Sequence, residues 1–172
     1  MAEPIYISRI YLERRYGPVR IAHLPAEEQP VTFSVHPALA AFCNSEVTRL
    51  VPSHASTLDY VVAATGASLL DTFGAMLEAR RIDASHGRLT AEVRGEVGTT
   101  DDGVLIITKV EIEYQIIASD QERPVINEVH DKYMTRCALF RTLSSSVVFA
   151  SNFIMVAESS AVGKKLRRLN QS

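Results

Sequence analysis

The sequence predicts an α+β fold. Strand-like runs fall in two groups, one before residue 36 and one between residues 86 and 155. A long small-residue helical stretch, Thr57 to Arg81, separates them. The order reads β-β-β, helix, β-β, helix, turn, β, and strand groups set apart by helices are the mark of α+β architecture.

Ile5 to Glu13 is rich in Ile and Tyr and reads as a strand. Arg14-Arg15-Tyr16-Gly17-Pro18 is turn chemistry, with Val19 to Leu24 returning. Val31-Thr32-Phe33-Ser34-Val35 is a third short strand. From His36 to Ser56 the pattern breaks at Pro37, Asn44, Pro52 and Ser53, with one helical turn at Ala38 to Phe42. This stretch is either a lid over a site or a long connection.

Thr57 to Arg81 is the longest helical segment, with Thr57 as N-cap and Asp59 favoured in the first turn by the helix dipole. Val61 to Met76 is nearly all apolar or small, and a helix apolar all round is buried. Ala63, Ala64, Gly66, Ala67, Gly74 and Ala75 allow close backbone approach. Glu78, Arg80 and Arg81 mark its exit into water.

Arg88 to Val97 alternates, with Leu89, Ala91, Val93 and Gly95 on one face. Asp101-Asp102-Gly103 signals a turn, and Val104 to Ile117 alternates through Ile106, Thr108, Val110, Ile112 and Tyr114, so the two should form a hairpin. Ser119 or Asp120 can cap a second helix with Pro124 early in it and Val125, Ile126, Val129 and Met134 apolar. Cys137 follows, then a short helical turn from Ala138 to Leu143 and a last apolar strand from Val147 to Met155.

The 172 residues suit one domain, or one protomer of an intimate dimer. Its parts are N-terminal strands to residue 35, a loop over 36–56, the helix over 57–81, the hairpin over 86–117, the Cys137 segment and last strand over 119–155, and a tail over 156–172. Apolar residues make up 47%, enough for a sizeable core. A net charge of -2 gives no electrostatic case for nucleic acid or a membrane surface. The basic cluster Lys164-Lys165-Leu166-Arg167-Arg168 reads as a solvated tail. No apolar run reaches the roughly 20 residues of a membrane span, and no secretory signal is visible. With two cysteines and no such signal, a reducing cytoplasm is expected.

Two segments belong together. One runs Thr57-Leu58-Asp59-Tyr60-Val61-Val62-Ala63-Ala64-Thr65-Gly66-Ala67-Ser68, the other Arg136-Cys137-Ala138-Leu139-Phe140-Arg141-Thr142-Leu143-Ser144. Together they resemble the OsmC/Ohr family of thiol-dependent organic hydroperoxide reductases. That family sets one cysteine in a small-residue context inside a buried helix, and a second before a helical turn that often ends in Arg-Thr-Leu-Ser. Cys137 matches the second position, and Ser68 stands at the first. The resemblance covers residues 55–155 and the N-terminal strands in outline. It implies antiparallel sheets, a long central helix packed between them, and an intertwined homodimer. It also implies a role in oxidative-stress defence, no cofactor, an organic hydroperoxide or other small apolar molecule as ligand, and an external thiol as reductant.

In the family's chemistry a thiolate attacks one peroxide oxygen and an alkoxide leaves. The resulting sulfenic acid condenses with the second cysteine to a disulfide, releasing water. A nearby arginine, held by an acidic side chain, lowers the attacking thiol's pKa. This sequence departs at Ser68, whose hydroxyl forms neither sulfenic acid nor disulfide. The acidic position falls at Leu58, with Asp59 beside it and rotated by about 100° on a helix. Arg15 best matches the arginine, with Arg14 and Arg20 as rivals.

Each residue also has a plainer reading. Cys137 is either a sole redox thiol supported by Arg136 or Arg141, or a small buried apolar residue. Cys43 either reaches Cys137 or packs a loop. Ser68 can bond back to the Ala64 carbonyl one turn earlier. Asp71, one turn after Ser68, either holds an arginine in a pocket or marks a locally exposed patch. A Ser-His-Asp hydrolase would bring His54, His86 or His130 to Ser68, but there is no Gly-x-Ser-x-Gly elbow. His54 and His130 lack the spacing of a zinc pair. Gly95-Glu96-Val97-Gly98 does not open a helix, so it is no phosphate loop. The competing functions are a reductase working through Cys137 alone, an apolar-ligand-binding dimer without peroxide chemistry, and a structural dimer.

Overall fold

The computed structural model describes residues 5–36, 39 and 54–158. Cys43, most of the loop over 36–56 and most of the tail lie outside them. The chain divides into two compact units, 1–60 and 61–172.

The first unit is an antiparallel meander of β1 (Tyr11–Arg14), β2 (Arg20–His23) and β3 (Val31–Phe33). All three are shorter than the sequence predicts. The β1–β2 turn closes with the Arg15 amide donating to the Val19 carbonyl at 3.0 Å, and Gly17 supplies the positive φ of 51°.

The long helix α1 (Thr57–Glu78) begins in the first unit and continues into the second. Its cap is Ser56, one residue before the expected Thr57. The Ser56 hydroxyl accepts from the Asp59 amide at 3.2 Å, while Asp59 Oδ2 accepts from the Ser56 amide at 2.7 Å and hydroxyl at 2.8 Å. This reciprocal pairing satisfies two otherwise orphaned donors.

The second unit packs α1 on a three-stranded sheet of β4 (Leu89–Thr99), β5 (Leu105–Ile117) and β6 (Val148–Val156), in the order β4-β5-β6. The expected β4–β5 hairpin is present, with one irregularity at Glu96/Val97. β6 pairs parallel to β5, so this sheet is mixed where antiparallel pairing was expected. A parallel partner needs a crossover. Here it consists of α2 (Arg123–His130), a 3₁₀ turn at Met134–Arg136 and α3 (Ala138–Leu143). Glu122, not Ser119 or Asp120, holds the cap position of α2; Ser119 instead donates its amide and hydroxyl to Glu122 Oε2, each at 2.7 Å.

The core comprises Leu69, Phe73 and Leu77 of α1, Leu89 of β4, and Ile112, Tyr114 and Ile116 of β5. Ile82, just after α1, and Ile126, Val129, Tyr133 and Cys137 of the crossover complete it. Helix and strand approach closely at two glycines, with Val93 against Gly66 and Val62 against Gly95.

All-round burial of α1 does not hold within the chain. Thr65, Gly66, Leu69, Phe73 and Leu77 are buried, but Tyr60, Val61, Ala64, Ala67, Asp71 and Ala75 are exposed. The sheet beneath covers one face of the helix, so the small apolar residues opposite face outward. By length and composition alone, α1 is long and apolar enough to cross a membrane. Its Leu69–Phe73–Leu77 stripe, however, packs into the core.

Candidate functional site

Ser68 and Cys137, 69 residues apart in sequence, meet at the flank of α1. Ser68 Oγ lies 3.3 Å from Cys137 Sγ. Ser68 does not close on the Ala64 carbonyl; its neighbours do the back-bonding, Thr65 Oγ1 donating to Val61 at 2.7 Å and Thr72 Oγ1 to the Ser68 carbonyl at 2.8 Å. Those bonds brace the backbone on either side of Ser68 and leave its hydroxyl to the thiol. Cys137 is fully buried. It caps α3 in an extended conformation (φ -77°, ψ 128°), between the 3₁₀ turn and the helix, so a change of backbone direction points its side chain inward.

Behind the thiol lies an aromatic cluster of Phe73, Tyr114, His130, Tyr133 and Phe153. The Tyr114 hydroxyl donates to that of Tyr133 at 3.1 Å. Burial raises both phenol pKa values, Tyr114 strongly, and the neighbouring Cys137 pushes in the same direction. Burial lowers the pKa of His130, whose Nε2 lies 2.9 Å from Ser151 Oγ. His130 is therefore engaged with Ser151, not with Ser68 as a hydrolase triad would demand.

Within the second unit, the remaining expected residues make no hydrogen bond to this pair. Arg136 and Arg141 are exposed. Asp71 is exposed on the outer face of α1. Asp59 is committed to the helix cap. Arg15 pairs with Glu13 at 2.9 Å in the first unit. A surface groove of about 330 Å³ lies on the second unit, lined by Glu92, Arg94, Glu111 and Glu113 among others, and includes neither Ser68 nor Cys137. Tyr114 and Tyr133 were not singled out from sequence. The signal for Tyr114 is its inward place in the β5 alternation.

The sequence matches the family described as OsmC-like protein over residues 52–152, which includes both Ser68 and Cys137. The chain belongs to the OsmC-like family. A comparison with curated protein sequences gives no match. Solved structures show the same OsmC-like fold. An OsmC-like protein from Mycoplasma pneumoniae is 19% identical, with a TM-score of 0.65 over 89% of this chain and 99% of its own. An OsmC-like protein of unknown function from Vibrio cholerae is 13% identical, with a TM-score of 0.70 over 87% and 100%. The organic hydroperoxide resistance protein OhrB of Bacillus subtilis is 14% identical, with a TM-score of 0.59 over 88% and 100%. In this OsmC-like chain Ser68 and Cys137 are brought together as a hydroxyl and a thiol.

Proposed function

We propose that this OsmC-like protein is a cytoplasmic homodimer that binds a small apolar ligand beside Ser68 and does not run a two-cysteine hydroperoxide cycle. The observation that carries this reading is the 3.3 Å contact between Ser68 Oγ and Cys137 Sγ. A disulfide requires two sulfurs about 2.05 Å apart; this pair has one. The serine hydroxyl is protonated at neutral pH and a poor nucleophile toward an O–O bond. Cys137 is buried, and its thiol's hydrogen-bond partner among the described residues is that hydroxyl. Among the described residues no guanidinium or ammonium group is hydrogen-bonded to this thiol, and a buried thiol so placed behaves as a small apolar group.

The outward face of α1 supports the dimer. Tyr60 and Val61 are 38% and 41% exposed beside Ala64, Ala67 and Ala75, a surface that suits close packing against a second copy. The ligand class is supported by the likeness to an organic hydroperoxide resistance protein.

The test is a peroxidase assay with cumene hydroperoxide and an external dithiol on wild type, Cys137→Ser and Ser68→Cys. Wild type is expected to be inert, with Ser68→Cys gaining turnover. Wild-type turnover abolished by Cys137→Ser would establish a single-thiol reductase instead. Sedimentation equilibrium should give twice the chain mass.

A further inference from the structure

We propose that Gly66 and Gly95 are positioning residues for the Ser68–Cys137 pair, acting through two interlocking valines. The inference rests on that pair being the centre of the site, as in the proposed function.

A Cβ on Gly66 would stand 2.5 Å from Val93 Cγ2 and 3.1 Å from Val93 Cγ1. A Cβ on Gly95 would stand 2.4 Å from Val62 Cγ2 and 3.2 Å from Val62 Cγ1. Carbon atoms in good contact sit about 3.5–4.0 Å apart, so neither position has room for a methyl group. Glycine is unfavourable inside a helix and inside a strand alike. Close approach explains its presence at both.

The two sockets are reciprocal. Helix α1 contributes a knob, Val62, and a hole, Gly66, one turn further on. Strand β4 contributes a knob, Val93, and a hole, Gly95, on the same face. Four helical residues rise about 6 Å, and two strand residues about 6.6 Å, so the knobs and holes coincide. The pairing of 62 with 95 and 66 with 93 makes helix and strand run in opposite directions. One such contact would leave α1 free to pivot. Two fix both its rotation and its axial position. Ser68 lies two residues beyond Gly66, about 200° round the helix, on the flank where it meets Cys137. Any lift or roll at Gly66 therefore reaches the Ser68–Cys137 separation through a rigid helix.

The Ser68→Cys variant turns this separation into a measurable rate. With oxidised dithiothreitol the two protein thiols are oxidised to a disulfide while the reagent's disulfide is reduced. The protein mass falls by two hydrogens. Ser68→Cys is expected to form this bond. Since a misplacement of about 1 Å costs on the order of 100-fold in rate, adding Gly66→Ala should slow it roughly 10- to 100-fold. Adding Val93→Ala to that double variant should restore the rate, because knob and hole are then exchanged; Gly95→Ala with Val62→Ala should behave in the same way. A role in stability alone predicts no such rescue. If the glycine variants do not fold, Val62→Ala with Val93→Ala in the Ser68→Cys background removes both knobs without a clash and should still slow the bond. The proposal is overturned by a parental rate in folded glycine variants, by no recovery on valine truncation, by a parental rate in the double-valine variant, or by a folded Ser68→Cys protein that forms no bond. Wild-type peroxidase activity would sink the proposed function and leave this inference standing.

Discussion

The Tyr114 hydroxyl donates to the Tyr133 hydroxyl across 3.1 Å, and both side chains are completely buried. Strand β5 and the crossover are thus joined by a polar link inside an otherwise aromatic cluster. Tyr133→Phe should leave the Tyr114 hydroxyl without its acceptor. An unsatisfied buried donor costs about 1–3 kcal/mol, so the urea midpoint should fall accordingly. Replacing both tyrosines by phenylalanine should cost less than the sum of the single changes. Additive losses would mean that the two hydroxyls do not interact.

Ser68→Cys should allow a disulfide that closes a loop across the 69-residue separation from Cys137. Chain-entropy arguments put the gain at about 4 kcal/mol for a loop of this size, less any strain. Urea unfolding with and without dithiothreitol measures it directly. Equal midpoints in the two conditions would show that the sulfurs cannot meet.

Burial holds the His130 pKa below its ordinary value of 6.5. The unfolded chain therefore binds a proton at a pH where the folded protein does not. Stability is then fully present above pH 6.5 and declines as pH falls through that value toward the lower folded one. His130→Gln should flatten this part of the stability–pH curve. The measurement is the unfolding midpoint from pH 7.5 to 5, and an unchanged slope in the variant would refute the assignment.

The Ser56–Asp59 pairing at the start of α1 predicts that Ser56→Ala costs about 1 kcal/mol. Thr57→Ala should cost less, since the hydroxyl at residue 57 is not the cap. Thermal unfolding of the two variants ranks them.

Local periodicity made much of the fold legible. Alternation in β4 and β5 and the Asp101-Asp102-Gly103 turn placed the hairpin, and the small-residue run placed α1. The direction of β6 was not legible, because an apolar strand reads the same whether its partner runs with it or against it. The cap was displaced by one residue, since Ser56 and Thr57 both carry suitable hydroxyls and only geometry chooses between them. Burial of α1 is less complete than its composition suggests, because composition records what a helix can bury, not how many neighbours the chain supplies. At the site, Ser68 and Cys137 were legible as a pair through the family resemblance. The Tyr114–Tyr133 link was not, because it joins two residues whose spacing in sequence has no helical or strand meaning.

The parallel pairing of β5 with β6 also bears on how the molecule assembles. After Ile117 the chain must travel back along the full strand before Val148 can begin its ladder. Non-local pairings of this kind form slowly, because ordering the intervening segment precedes the reward. Residues 118–147 thus act as a tether on which docking of the last strand waits. Cys137 rides on that tether, so the segment that brings its thiol to Ser68 is anchored at both ends by neighbouring strands of one sheet.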